Sequence, residues 1–470
     1  MTDDSPSASE PAPRRKAWLD YRAVWRWHFY ASLFCMPFVI VLSLTGAVYL
    51  FKTEIERWID RPYDQHALSG SRSPAEAQVR AALEAFPGSV PASYELPETP
   101  QSAGRVVVQH EGVATRVYVH PETLAILHTI PENERFMRFL FRLHGELLMG
   151  DRGSNLVELA ASWTILMIVT GLYLWWPRQS RGLGGVLYPR LRMGSRVMWR
   201  DAHSVSGFWI SAMALFLLAT GLPWAKFWGG YFKSVRQLTG TAVAQQDWTT
   251  GSERLGRSDG ASAGGEHAGH SGHGGGGRRR GAVMPSDLAG FDRVAAAVAP
   301  LDLEHPVVIA PPSRRGSSEW TAKSMTPNRP KRVNLVVNGD TGDLISREDF
   351  RDRHIIDRVV GVGIAAHEGR LFGWPNQLLG LMTAGGLVLL CVSGLVMWWK
   401  RRDSGGLGAP RALERPGGSP GLLLLIVLFG IYLPLFGASL IVVLLVERLV
   451  LCRIPGVRRW LGLSPAGSAA

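Results

Sequence analysis

Cysteine is scarce in this chain of 470 residues: there are three, with Cys35 and Cys391 inside apolar runs and Cys452 near the end. No CxxC or CxxCH occurs, which excludes a disulfide framework, a thiolate-held iron–sulfur cluster and covalently attached c-type haem. A strand–GxGxxG–helix unit is also missing, since Gly361-Val-Gly363 leads into a histidine and lacks that context. Nothing resembles a P-loop, an HExxH zinc motif or a nucleophile elbow. The first apolar run lacks a small-residue cleavage site and is long enough to span, so no cleavable signal is read. Acidic residues are outnumbered, giving a net charge of +12. The excess Lys and Arg sit beside the apolar runs, so membrane topology accounts for them and nucleic-acid binding is not inferred.

What the chain does have is long apolar runs separated by polar segments, and a mean hydropathy near zero averages over the two. Seventeen tryptophans, several at the ends of apolar runs, fit an interfacial belt. One long stretch occurs twice. Arg142-Leu-His144-Gly-Glu146 leads through an apolar run to Thr170-Gly171 and Trp175-Trp176. Ala366-His367-Glu368-Gly-Arg370 leads through another to Ser393-Gly394 and Trp398-Trp399. From histidine to hydroxyl residue is 26 positions in both copies. Likewise His28 precedes Thr45-Gly46, and His203 precedes Thr220-Gly221, by 17 positions each. The pattern is that of two tandem halves, each a pair of membrane helices with one histidine per helix.

Taken in order, residues 1–20 read as a disordered cytoplasmic tail, rich in Ser, Pro and charge. The first span lies within 21–60, and the basic residues ahead of it place the N-terminus in the cytoplasm. Residues 61–133 read as an outer α+β unit, with a helix over 74–87 and strands over 105–109 and 115–120. Residues 134–178 hold an amphipathic surface helix and the second span. A basic cytoplasmic loop (179–202) and the third span (203–230) follow. Residues 231–353 repeat the α+β unit, with a helix over 288–299, strands over 307–310, 318–323 and 332–337, and a His/Gly-rich insert at 258–277. An interfacial segment and the fourth span occupy 354–402, a cytoplasmic loop 403–420, and a fifth span with a basic tail 421–470. A single fifth crossing puts that tail outside, against the positive-inside trend. Pro434 offers an alternative by breaking the run into a re-entrant hairpin.

On this topology His28 and His203 share the inner depth, and His144 and His367 the outer. Two facing histidines are a natural axial ligand set for a b-type haem. Histidines of one half are separated by a hydrocarbon core about 30 Å thick, so the pairing must run across the halves. The expected sites are therefore His28 with His203 and His144 with His367, holding two b-type haems. A histidine at a helix end is ordinarily an interfacial side chain, and the glycines ordinarily serve helix contact. Intramembrane ionisable groups, however, tend to be functional. Arg26, Arg200, Arg142 and Arg370 lie near the four histidines and could meet haem propionates, although topology already explains them. His267, His270 and His273 form a possible accessory metal tract, though a charged linker explains them too.

The layout of a membrane helix, a small α+β unit and a histidine-led helix ending [ST]-G-L-x-x-W-W, all repeated over roughly residues 18–402, resembles the PepSY-associated transmembrane helix proteins of bacterial inner membranes. That resemblance implies a mostly α membrane protein with five transmembrane helices and two periplasmic α+β PepSY-like domains. Some members resemble siderophore reductases, in which a di-haem core passes electrons to a ferric siderophore in the periplasm. It carries the ligand role onto His28, His144, His203 and His367. Without a flavin-reductase module in the chain, the electron donor is expected to be a separate flavin reductase or the quinol pool. The alternatives are a non-redox PepSY protein that binds or regulates an envelope partner, and a periplasmic metal-handling protein.

Overall fold

The computed structural model describes residues 21–177, 182–241, 284–314, 316–402, 406–410 and 420–463. The expected tail at 1–20 and the insert carrying His267, His270 and His273 lie outside the described residues. The first half of the chain forms α1 (Tyr21–Tyr49), α2 (Lys52–Asp60), α3 (Ala75–Ala85), β1 (Val90–Glu95), β2 (Gly104–His110), β3 (Val113–Val119), β4 (Ile126–Pro131), α4 (Phe136–Glu146) and α5 (Asp151–Trp175). The second half repeats that order: α6 (Ser195–Gly221), α7 (Lys226–Leu238), α8 (Gly290–Val298), β5 (Val307–Ala310), β6 (Glu319–Ser324), β7 (Val333–Asn338), β8 (Leu344–Asp349), α9 (Ile355–His367) and α10 (Trp374–Arg401). The chain then forms α11 (Pro420–Tyr432), α12 (Pro434–Leu449) and α13 (Pro455–Leu461).

Among the described residues, five helices are long and apolar enough to cross a membrane: α1, α5, Ser195–Trp224, α10 and Pro434–Arg453. At most a third of the most apolar window of each is buried inside the protein. The chain separates into two compact units, each drawing on both halves of the repeat. One comprises Met1–Met36, Leu159–Ser211 and Leu389–Ala470; the other comprises Pro37–Glu158 and Ala212–Val388.

The second unit contains the strands, and they form one antiparallel sheet in the order β4-β3-β2-β1-β5-β6-β7-β8. The two α+β segments are therefore continuous through β1 and β5, where Tyr94 pairs with Ile309 and Glu95 with Val308. α3 and α8 cover one face, over a core that includes Val79, Val106, Val117, Phe291, Ile309, Trp320 and Leu335. Asp292 of the second half accepts the Ala75 and Glu76 amides, at 2.6 and 3.2 Å, capping the start of α3 in the first. Burying this shared core stabilises both segments together, at about 25 cal/mol per Å² of apolar surface. A charge network ties α2 to the sheet: Arg105 meets Asp64 at 2.8 Å and Asp60 at 3.4 Å, and Arg135 meets Glu56 at 3.1 Å. α2 continues α1 after a short break at Leu50–Phe51, so this network anchors the sheet to a spanning helix.

α7 fills part of the segment that patterning assigned to the second α+β unit. Its free N-terminal amides are met from α5: Glu158 accepts from Phe227 and Trp228, at 3.2 and 3.0 Å, and Ser154 accepts from Lys226 at 3.1 Å. An acid buried in a spanning segment is costly without partners. Here it caps a helix, where the dipole favours negative charge.

Candidate functional site: four histidines on hydroxyl–glycine steps

Each of the four histidines is carried by one helix and seated on another helix of the same half. His28 of α1 lies against α5, where its Nδ1 is 3.0 Å from the Met167 carbonyl and 3.2 Å from Thr170 Oγ1. His203 of α6 makes the equivalent contacts on α10, with 3.1 Å to both the Leu390 carbonyl and Ser393 Oγ. His144 of α4 reaches Thr45 Oγ1 of α1 at 3.0 Å, and His367 of α9 reaches Thr220 Oγ1 of α6 at 3.0 Å.

The partners determine which nitrogen holds the proton. Thr170 already donates to the Leu166 and Met167 carbonyls, and Ser393 to those of Leu389 and Leu390. Thr45 and Thr220 donate back along their own helices in the same way. A hydroxyl committed as a donor, like a carbonyl, offers the imidazole only an acceptor. Each histidine is therefore the Nδ1–H tautomer and presents an Nε2 lone pair, the arrangement a metal-ligating histidine needs. Among the described residues no Nε2 of the four has a hydrogen-bond partner. A histidine serving only to satisfy a core would use both nitrogens.

The glycine after each hydroxyl makes the seat. A methyl at Gly171 would lie 3.1 Å from His28 Cε1, and one at Gly46 would lie 3.1 Å from His144 Cε1. The corresponding distances are 3.5 Å for Gly221 and His367, and 3.6 Å for Gly394 and His203. Spacing alone left these glycines open to a reading of simple helix contact; the structure gives every one of them a histidine. The hydroxyls are the residues sequence reasoning missed. They marked the repeat by their spacing but carried no role, because a Ser or Thr in a spanning helix ordinarily bonds its own backbone.

In the first unit the His28 and His203 rings come together, with centroids 6.4 Å apart and planes at 88°. Two metal–imidazole bonds of about 2 Å each, plus the two ring radii, account for that separation. The residues present therefore fit a group such as a b-type haem, which His28 and His203 would hold. In the second unit His144 and His367 are electrostatic neighbours. Trp224 stands with its ring 6.0 Å from that of His367. Among the described residues, no group of three or more His, Cys, Asp or Glu side chains is placed to hold a metal ion, so the chemistry rests on pairs.

Three of the four arginines near the histidines are engaged by the protein itself. Arg26 donates to the Gly462 carbonyl at 2.7 Å. Arg200 meets Asp201 at 2.8 Å. Arg370 meets Glu54 at 2.8 Å and the Leu50 carbonyl at 2.9 Å. Burial alone would raise the Glu54 carboxyl, but hydrogen bonds from Arg370 and Gln377 hold it down at about 2. Arg142 has a looser contact, 3.9 Å from Glu146. The tryptophan pairs divide their tasks. Trp175 stacks on Phe208 at 4.1 Å and donates to the Val186 carbonyl, while Trp176 is exposed. Trp398 donates to the Leu407 carbonyl, and Trp399 is exposed.

The repeated histidine, hydroxyl and glycine steps fall within residues 25–401, which match the PepSY-associated TM region. The chain belongs to this family. Together with the five apolar helices, that membership makes it a multi-pass membrane protein. No curated protein matches it.

Proposed function

We propose that this PepSY-associated membrane protein is a transmembrane electron carrier that holds two b-type haems, one on His28 and His203 and one on His144 and His367. It would pass electrons from the cytoplasmic side of a bacterial inner membrane to a ferric chelate, such as a siderophore complex, in the periplasm. The observation that carries this reading is the shared setting of the four imidazoles: Nδ1 anchored to a neighbouring helix in each, and one pair with ring centroids 6.4 Å apart. Bound haem would supply reversible one-electron redox chemistry. The chain's own residues hold and orient it. Thr170, Ser393, Thr45 and Thr220 fix the ring orientation and raise the basicity of the ligating nitrogen. The four glycines leave room for the rings, and the surrounding apolar helices keep water from the sites.

The donor would be a separate flavin reductase or the quinol pool, since the chain lacks a dinucleotide-binding fingerprint. The eight-stranded sheet, by the same topology, stands on the periplasmic side and offers the surface where a ferric complex docks. A pyridine haemochrome assay on protein expressed with ample haem should give two b-type haems per chain. A colourless protein with no haemochrome would end the redox reading and favour a role in binding an envelope partner.

A further inference from the structure

The C-terminal apolar stretch has the composition of a fifth span, but its surroundings point elsewhere. α11 and α12 are separated by Leu433 alone, and the chain turns back on itself there. A methyl at Gly430 would lie 3.3 Å from the Gly437 Cα, and the Phe429 and Phe436 rings are 4.9 Å apart. In a continuous helix, residues seven apart are separated by about 10 Å along the axis. The missing side chains of Gly430 and Gly437 allow this close approach.

The turn lies level with the middle of α5. Phe436 packs its ring 4.9 Å from that of Trp163, and Trp163 Nε1 donates to Ser439 Oγ at 3.0 Å. Trp163 is the central residue of α5, which runs from Asp151 to Trp175. From there α12 runs 16 residues, about 24 Å at 1.5 Å per residue. A run that starts at the centre of a core about 30 Å thick has about 15 Å to cover before one surface, so it leaves the core on that side and cannot cross the whole of it.

Which surface it reaches is decided by the tail. Beyond α12 the Trp460 carbonyl accepts the Leu407 amide at 2.8 Å, and Leu407 lies just past the end of α10. The Gly462 carbonyl accepts from Arg26 at 2.7 Å, and the Leu461 carbonyl accepts from Tyr30 Oη at 2.5 Å. Arg26 also donates to the Pro410 carbonyl at 3.3 Å. The chain thus comes back to the side it left, at the end of α1 that carries His28.

We infer that α11 and α12 form a re-entrant hairpin, that the chain crosses the membrane four times, and that α13 clamps the α1 turns on either side of His28. The basic residues Arg448, Arg453, Arg458 and Arg459 then lie on the side of the basic N-terminal segment, which removes the conflict with the positive-inside trend. This inference stands whether or not the histidines hold haem.

Native Cys452 reports the answer, because it is half-buried while Cys35 and Cys391 are buried. A membrane-impermeant maleimide would be applied to right-side-out vesicles, before and after permeabilisation. Met193→Cys and Ser346→Cys, each in a Cys452→Ala background, mark the loop after α5 and the sheet. Cys452 should behave like Met193→Cys, reacting only after permeabilisation, while Ser346→Cys reacts at once. Tyr432→Cys, at the turn, should stay unreactive from the outside. Labelling of Cys452 in sealed right-side-out vesicles would overturn the hairpin in favour of one crossing. Labelling of Tyr432→Cys there would overturn it in favour of two.

Discussion

His203→Ala should remove one of the two haems and leave the other, and His28→Ala should remove that same one. The two residues lie 175 positions apart in sequence, in different halves of the repeat, yet their ring centroids are 6.4 Å apart, edge-on with planes at 88°. On the proposed reading, loss of either imidazole would leave the haem with one of its two histidines, while the seats on Thr170-Gly171 and Ser393-Gly394 remain. Haem content per chain should halve in each variant, and in the double variant it should fall no further. Ser393→Ala removes one of two acceptors at His203 Nδ1 and should weaken haem retention by about 10- to 100-fold, as loss of a supporting hydrogen bond does at metal-ligating histidines. A result in which His28→Ala and His144→Ala abolish the same haem would contradict the pairing.

The second large effect concerns the direction of electron flow. His367→Ala should abolish oxidation of the protein by an impermeant ferric chelate in oriented vesicles, while reduction from the cytoplasmic side persists. His144 and His367 belong to the unit that carries the sheet, and His28 and His203 to the unit that carries the basic loops. On the proposed topology, with the basic loops inside, the first pair would lie outside and the second inside. The rate to the external chelate should drop to that of vesicles without the protein. If the variant still delivers electrons to that chelate at the normal rate, the outward path is refuted.

Much of this arrangement was legible from residue pattern. Apolar length located α1, α5, α6 and α10, and alternation located β2, β3, β5, β6 and β7, because each of these strands buries residues of the shared core. Three strands escaped, for physical reasons. β4 and β8 are the edges of the sheet and bury no residue, so they carry no alternation of buried and exposed positions; the Arg, Glu and Asp of β8 are what a guarded edge uses. β1 holds a proline and a register shift between Pro91 and Ser93, which breaks the period of two.

The joining of the α+β segments into one sheet was not visible either. It depends on two residue pairs more than 200 positions apart, Tyr94 with Ile309 and Glu95 with Val308. At the candidate site the histidines and glycines stood out by repetition. Their geometry did not, because a seat is a relation between two helices and spacing describes one. The folding back of α11 on α12 was foreshadowed by Pro434, but composition alone favoured a crossing.

Electron paramagnetic resonance of the ferric His367→Ala protein tests whether histidines from the two halves hold one haem together, since only the His28–His203 site would then keep both imidazoles. Perpendicular imidazole planes leave the two iron d orbitals that π-bond to them nearly degenerate. A haem held by both rings with their planes at 88° would give a low-spin ferric signal of strong axial anisotropy. A high-spin ferric signal as the sole haem species would contradict it.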